Sequence, residues 1–233
     1  GVNMADGFSR VSNGKKIGVF TMQNGPGAEN AFGGVAQAFA DSVPILLIPG
    51  GEPVARLGVP PSFNATNNYQ GITKWARYIN AVDRIPELMS GAFTQLKHGH
   101  KGPVLLEIPR DIGDEEFPDS KFKYSPVIEH RSTADPEDVR DLIKALLSAS
   151  NPVITAGQGV LYADATKELV ELSEITGIPV MTTLNGKSSF PENHQLSLGT
   201  GAHNSTLMVD HFLNNADFVL GIGTSLSKSL FSQ

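Results

Sequence analysis

The residues best suited to hold a ligand are glycines that end apolar runs. Gln23-Asn24-Gly25-Pro26-Gly27-Ala28-Glu29-Asn30 lies between a strand pattern and a helical one. Glycines there let a ligand approach the main chain, and Pro26 presets the first helical turn. The free N–H groups and the positive end of the helix dipole point outward. An anion or a polar heterocycle suits such a place, and so does the plainer reading of a tight strand–helix turn. No Lys-Ser/Thr pair follows, which excludes a phosphate loop of the Gly-x-x-x-x-Gly-Lys-Ser/Thr type. A second turn, Ala156-Gly157-Gln158-Gly159-Val160, opens like a dinucleotide fingerprint but has Tyr162 where the third glycine belongs. Asn185-Gly186-Lys187-Ser188-Ser189 and Gly223-Thr224 are further glycine loops after strand patterns, where open α/β sheets bind ligands. Lys187 also reads as a simple solvated side chain.

Residues 60–70, Pro-Pro-Ser-Phe-Asn-Ala-Thr-Asn-Asn-Tyr-Gln, form a long amide-rich and aromatic loop. That composition suits a substrate-facing loop, with a solvated connection as the alternative. Histidines 98, 100, 130, 194, 203 and 211 are scattered, without a His-Glu-x-x-His pair or a third ligand at metal spacing, so no metal site is assigned. No Gly-x-Ser-x-Gly elbow supports a hydrolase. The absence of cysteine removes thiolate catalysis, Fe–S clusters and disulfides, and fits a cytoplasmic setting.

These loops need a scaffold, and the chain supplies one. Its 233 residues are 40% hydrophobic and 18% charged, with 24 Gly and 15 Pro, a globular composition with room for two domains. Twenty-four acidic against 18 basic residues give a net charge of −6, which argues against nucleic acid. The longest apolar stretch, residues 43–49, is far short of the ~18 residues of a membrane span, so no membrane partner is expected. Apolar runs at 17–22, 43–48, 104–108, 153–156, 178–182 and 218–223 predict strands, the first three apolar on both faces. Helical stripes alternate with them: Ala28, Ala31, Phe32, Val35 and Phe39; Leu88, Met89, Ala92, Phe93 and Leu96; Val139, Leu142, Ile143, Leu146 and Leu147; and Leu169, Val170, Leu172 and Ile175, ending at Gly177. Strand–helix alternation predicts an α/β protein of two doubly wound, parallel-sheet, Rossmann-like domains. A polar, aperiodic stretch separates them, giving domains at 1–116 and 135–233 with a linker at 117–134. The start inside a helical pattern, without Met, and the stop without a closing element suggest a fragment.

Met4-Ala5-Asp6-Gly7-Phe8-Ser9-Arg10, Asn24-Gly25-Pro26-Gly27-Ala28-Glu29-Asn30 and Asp41-Ser42-Val43-Pro44-Ile45 together resemble the pyrimidine-binding domain of thiamine-diphosphate enzymes of the acetolactate synthase type. The likeness continues through Thr73-Lys74-Trp75-Ala76 and residues 102–109, Gly-Pro-Val-Leu-Leu-Glu-Ile-Pro. Residues 156–160, 177–180, 186–187 and 216–224 resemble the same family's central domain, truncated here.

The resemblance implies a transferase or lyase in which thiamine diphosphate decarboxylates a 2-oxo acid and joins the product to a second carbonyl. An acetolactate synthase of this kind serves branched-chain amino acid biosynthesis. The resemblance places Gly25, Pro26, Gly27 and Asn30 around the pyrimidine ring, and Phe63 and Asn64 toward a 2-oxo acid or aldehyde substrate. Gly157, Gly159, Gly186 and Gly223 would receive a nucleotide. It places the catalytic glutamate six residues before Met4, ahead of Gly1, and Mg2+ in a further domain, so this chain alone is expected to be inactive. Pairing of the two cofactor-binding domains across subunits implies a homodimer or homotetramer.

Two departures from the family pattern bear on the substrate and on flavin. Phe63-Asn64-Ala65 stands where synthases have Phe-Gln-Glu, and Ser225-Leu226-Ser227-Lys228-Ser229 stands where flavin-binding members have an Arg-Phe-Asp-Asp-Arg-like run. FAD is thus left open. So are a related thiamine-diphosphate lyase, transferase or decarboxylase acting on another carbonyl, and a catalytically silent nucleotide-binding protein.

Overall fold

The computed structural model describes residues 1–130, 132–201 and 205–226. His203, Ser227, Lys228 and Ser229, noted above, lie outside the described residues. The chain divides into two compact units, Gly1–Arg131 and Ser132–Gln233.

The first unit runs α1 (Val2–Val11), β1 (Gly18–Met22), α2 (Pro26–Ala40), β2 (Ile45–Gly51), α3 (Ala65–Asn68), β3 (Trp75–Tyr78), α4 (Ile85–Lys97), β4 (Val104–Pro109) and α5 (Arg110–Gly113). Its four strands are parallel in the order β1-β2-β4-β3. Alternation along the strands sends successive side chains to opposite faces. Ile45, Leu47 and Leu105 join Ala28, Val35 and Ala38 of α2 on one face, while Leu46, Val104 and Leu106 join Leu88, Ala92 and Leu96 of α4 on the other. Ser9 ties three elements together: its buried hydroxyl donates to the Pro44 carbonyl at 2.7 Å and accepts from the Gly18 N–H at 2.8 Å. Arg10 reaches Asp6 and Asp41, both at 2.7 Å. Residues 127–129 pass the end of α4, where Lys97 Nζ donates to the Val127 carbonyl and Lys101 pairs with Glu129.

The second unit runs α6 (Pro136–Ser148), β5 (Pro152–Ala156), α7 (Gln158–Ala163), α8 (Thr166–Thr176), β6 (Val180–Thr182), β7 (Ser197–Thr200), α9 (Leu207–Asn214) and β8 (Phe218–Ile222). Its strands are parallel in the order β7-β6-β5-β8. Ile154, Ala156, Val180 and Leu220 pack with Leu146 and Leu169 on one face, and Val153 and Met181 with Val209 on the other. Gly177, in the left-handed conformation at φ 69°, ends α8 where the sequence predicts.

Several expectations are corrected. The strand patterns omit β3 and β7, four-residue strands at the sheet edges, where a short run paired on one side carries little apolar signal. β1, also at an edge, leaves Val19 exposed and so is not apolar on two covered faces. In α2 the buried row is Ala28, Ala31, Val35 and Ala38, with Phe32 and Phe39 exposed on its flank. In α6 only Leu146 is buried, whereas Val139, Leu142, Ile143 and Leu147 are exposed; in α8 Ile175 is exposed. A helical period fixes which residues share a face, and the tertiary fold decides whether that face is covered. No helix among the described residues is long and apolar enough to cross a membrane.

Candidate functional site

The carboxyl edge of the first sheet is built by the segments leaving β1, β2 and β4. β1 ends at Met22 and the chain reverses into α2 through Gln23-Asn24-Gly25. Gly25 has φ 64° and ψ −107°, a conformation that a Cβ disfavours, and a Cβ there would meet nothing within 4 Å. The turn is therefore shaped by glycine and open on that side. Gln23 and Gly25 give their carbonyls to the Ala28 and Glu29 N–H groups at 3.1 and 2.8 Å. Asn24 Nδ2 donates to Glu52 Oε1 at 2.8 Å, joining this turn to the segment after β2. Asn30 is exposed and donates Nδ2 to the Pro26 carbonyl at 2.7 Å, so its amino group stabilises the first turn of α2.

The loop at residues 60–70 is anchored rather than a solvated connection. Asn64 caps α3, its Oδ1 accepting from the Asn67 N–H at 2.8 Å. That acceptor is engaged within the loop, and Phe63 lies half-buried against the core. Tyr69 is fully buried, with its hydroxyl donating to the Ala28 carbonyl in α2. Phe32 and Phe63 meet its ring edge-on, with centroids at 5.3 and 6.4 Å. Burial pushes the Tyr69 pKa up to about 12. Thr66 donates both its N–H and its hydroxyl to Glu107 Oε2 on β4, at 2.7 Å each.

Tyr78 at the end of β3 donates to the Glu52 carbonyl at 3.1 Å, and burial first, then the carboxylates of Glu107, Asp111 and Glu52, raise its pKa. Lys74, just before β3, donates Nζ to the Gln95 and His98 carbonyls at 2.5 and 2.6 Å and so closes the end of α4; burial first, then Lys101, lowers its pKa.

The sequence-predicted residues Gly25, Pro26, Gly27 and Asn30 thus occupy one turn. Phe63 and Asn64 belong to a loop bonded to the helix that this turn opens. Tyr69, Thr66 and Glu107 were not singled out by the sequence reading. One signal existed for Glu107: a lone carboxylate in the apolar run Val104-Leu105-Leu106-Glu107-Ile108 must find buried donors.

In the second unit Gly157, Gly159, Gly186 and Gly223 converge at the carboxyl ends of β5, β6 and β8. A Cβ on Gly157 would come within 2.3 Å of the Gly223 carbonyl oxygen, and one on Gly159 within 2.7 Å of Gly223 Cα. The Gly157 N–H donates to the Ile222 carbonyl, the Gly159 N–H to Gly223 and the Gly186 N–H to Thr183. These glycines let two strand ends and a loop cross in contact, and the N–H groups of Gly157, Gly159 and Gly186 are engaged within the fold. Lys187 pairs with Glu192 at 2.7 Å, both exposed. Among the described residues no three His, Asp or Glu side chains gather as metal ligands.

Residues 1–75 match the family model described as thiamine pyrophosphate enzyme, N-terminal TPP binding domain, and residues 139–232 match thiamine pyrophosphate enzyme, central domain. A probable acetolactate synthase large subunit of Methanocaldococcus jannaschii is 34% identical over 230 residues, which cover 96% of this chain and 39% of that protein. A probable acetolactate synthase large subunit of Methanococcus aeolicus is 35% identical over 237 residues, 97% of this chain and 39% of its own. A glyoxylate carboligase of Escherichia coli O157:H7 is 32% identical over 230 residues, 97% of this chain and 38% of its own. The chain therefore spans about two-fifths of the length of these relatives.

Proposed function

This chain belongs to the thiamine pyrophosphate enzyme family, and from that premise we propose that the protein carrying it decarboxylates a 2-oxo acid and ligates the product to a second carbonyl, in the manner of an acetolactate synthase. The observation that carries this reading is the open glycine turn at Gly25, at the mouth of a 15-residue helix and braced by a loop of aromatic and amide residues. A flat polar heterocycle fits there, because main-chain groups can approach it where Gly25 has no side chain. When bound, thiamine diphosphate supplies the carbon nucleophile of the reaction.

The chain's own part is to wall the pyrimidine with Gly25, Pro26, Gly27 and Asn30, and to present Phe63 and Asn64 to the substrate. The proton-shuttling glutamate is assigned ahead of Gly1, and Mg2+ with the diphosphate to residues outside this chain. A homodimer or homotetramer completes the site, and a cytoplasmic setting suits a small-molecule metabolic enzyme.

One observation favours a second reading, a carboligase acting on another small carbonyl. Where synthases have Phe-Gln-Glu, Asn64 is engaged as a helix cap, and a glyoxylate carboligase is among the relatives. The intact protein, given thiamine diphosphate and Mg2+, separates the readings. Carbon dioxide release and a condensed product from pyruvate support the first. The same from glyoxylate alone supports the second, and release from neither, with cofactor bound, leaves a silent binder.

Flavin is assigned no place in the second unit, because the Gly157, Gly159 and Gly186 N–H groups are already bonded to main-chain carbonyls and are poorly suited to a phosphate. A stoichiometric flavin absorption band in the purified protein would overturn that assignment.

A further inference from the structure

We propose that Glu107 is a positioning residue for substrate choice, acting through Thr66 on the loop that carries Phe63 and Asn64; this rests on the reading that the loop faces the reacting carbon. Glu107 is the one charged residue of β4 and is 2% exposed. A buried carboxylate is retained only where donors are fixed around it. Both donors found on its Oε2 come from a single residue 41 positions away, the N–H and hydroxyl of Thr66 at 2.7 Å each. Two charge-assisted bonds to one oxygen define a point rather than a region, and they hold the first turn of α3 there.

The strand beside β4 is fitted to this carboxylate. A Cβ on Gly51 of β2 would stand 2.9 Å from Glu107 Oε1 and 3.0 Å from its Cγ, so the absence of a side chain at 51 leaves the space that the carboxyl fills. Beyond Thr66, Tyr69 fixes the loop's other end to α2 and meets the Phe63 ring edge-on. Phe63, three residues before Thr66, therefore takes its place from two tertiary anchors: Tyr69 for the ring and Glu107 for the backbone that leads to it. Retracting the carboxylate by one methylene, about 1.5 Å, would displace the loop without altering any residue that lines the cofactor turn.

The test uses the intact enzyme with Glu107→Asp, Thr66→Val and Thr66→Ser, and Phe63→Ala in parallel, on a panel of small and bulky aldehyde and 2-oxo acid acceptors. Glu107→Asp and Thr66→Val are expected to change the ratio of kcat/KM between small and bulky acceptors about tenfold, about 1.4 kcal/mol of discrimination, chiefly through acceptor KM. Thiamine diphosphate affinity is expected to stay within about twofold, and Thr66→Ser to restore the ratio. A uniform loss across the panel, or an unchanged ratio, overturns the inference.

If Phe63→Ala moves the ratio and the Glu107 and Thr66 variants do not, the loop reading stands and this inference falls. If the reverse holds, the clamp stands and the role given to Phe63 falls, and if neither moves it, both fall. Amide exchange at Thr66, read on the same variants without substrate, is expected to quicken about tenfold; unchanged protection overturns the clamp whatever the activity.

Discussion

Replacing Tyr69 with Phe isolates one buried hydroxyl and should reverse its effect on stability as pH rises. Tyr69 is fully buried, and its hydroxyl donates to the Ala28 carbonyl beneath the glycine turn. Near neutral pH, Tyr69→Phe removes one neutral hydrogen bond and leaves the ring in place, a loss of about 1 kcal/mol. Above the ordinary tyrosine pKa of 10.0 the unfolded chain releases the proton, while the folded protein retains it until about 12. The unfolded state then binds fewer protons, so stability falls with rising pH. The contribution is present below pH 10 and is withdrawn as pH climbs toward 12. Two units at 1.36 kcal/mol each make the full swing roughly 2.7 kcal/mol.

The wild type should therefore be more stable than Tyr69→Phe by about 1 kcal/mol at pH 8, equal to it near pH 11, and less stable beyond. Urea unfolding of both proteins across this range gives the difference directly, and the other tyrosines and lysines cancel. Tyrosinate absorbance provides a second measure, because Tyr69 and Tyr78 both have raised pKa values and the late-titrating signal should lose the share of Tyr69 in the variant. Parallel pH profiles for the two proteins would refute both the burial and the hydrogen bond as described.

Four further outcomes are expected. Asn30→Ala should weaken thiamine diphosphate binding in the intact enzyme roughly three- to tenfold, the worth of one hydrogen bond, a larger effect than the loss of stability of the cofactor-free protein from the missing bond to Pro26; a lower melting temperature with unchanged affinity would make Asn30 only a brace for Pro26. Gly25→Ala costs about 1–3 kcal/mol of backbone strain but meets open space, so it should fold and lose cofactor affinity. Gly159→Ala drives a Cβ to 2.7 Å from Gly223 Cα and should unfold the second unit while the first keeps its circular dichroism and proteolytic resistance. Asp217 accepts the Ser150 and Asn151 N–H groups at 2.7 and 2.8 Å, which hold its pKa below 3.8. That stabilisation is present above 3.8 and lost as pH falls through the lowered value, so Asp217→Asn should flatten the acid limb of the unfolding curve.

What the sequence determined by itself is local or repeated along the chain. The buried central strands are legible because both faces of β2 and β4 are covered, so Ile45-Leu46-Leu47 and Val104-Leu105-Leu106 have no polar alternation. The Gly-Pro-Gly turn is legible because a conformation at φ 64° and a proline at the start of α2 leave a compositional mark. The motif series from Met4 to Thr224 is legible because each piece has its own spacing.

Only the tertiary structure decided the orders β1-β2-β4-β3, which pairs strands about 60 residues apart, and β7-β6-β5-β8, and with them the presence of the edge strands β3 and β7. It also decided that Asn64 is a cap, that Tyr69 is buried under Ala28 and that Glu107 finds its donors on Thr66. A tyrosine in a polar loop and a glutamate in an apolar strand announce that partners are needed, but not which ones. Burial is a property of the assembled neighbours, and a residue 41 positions away leaves no trace in the local pattern. The α6 stripe makes the same point from the other side: periodicity grouped Val139, Leu142, Ile143, Leu146 and Leu147 on one face, and packing buried only Leu146.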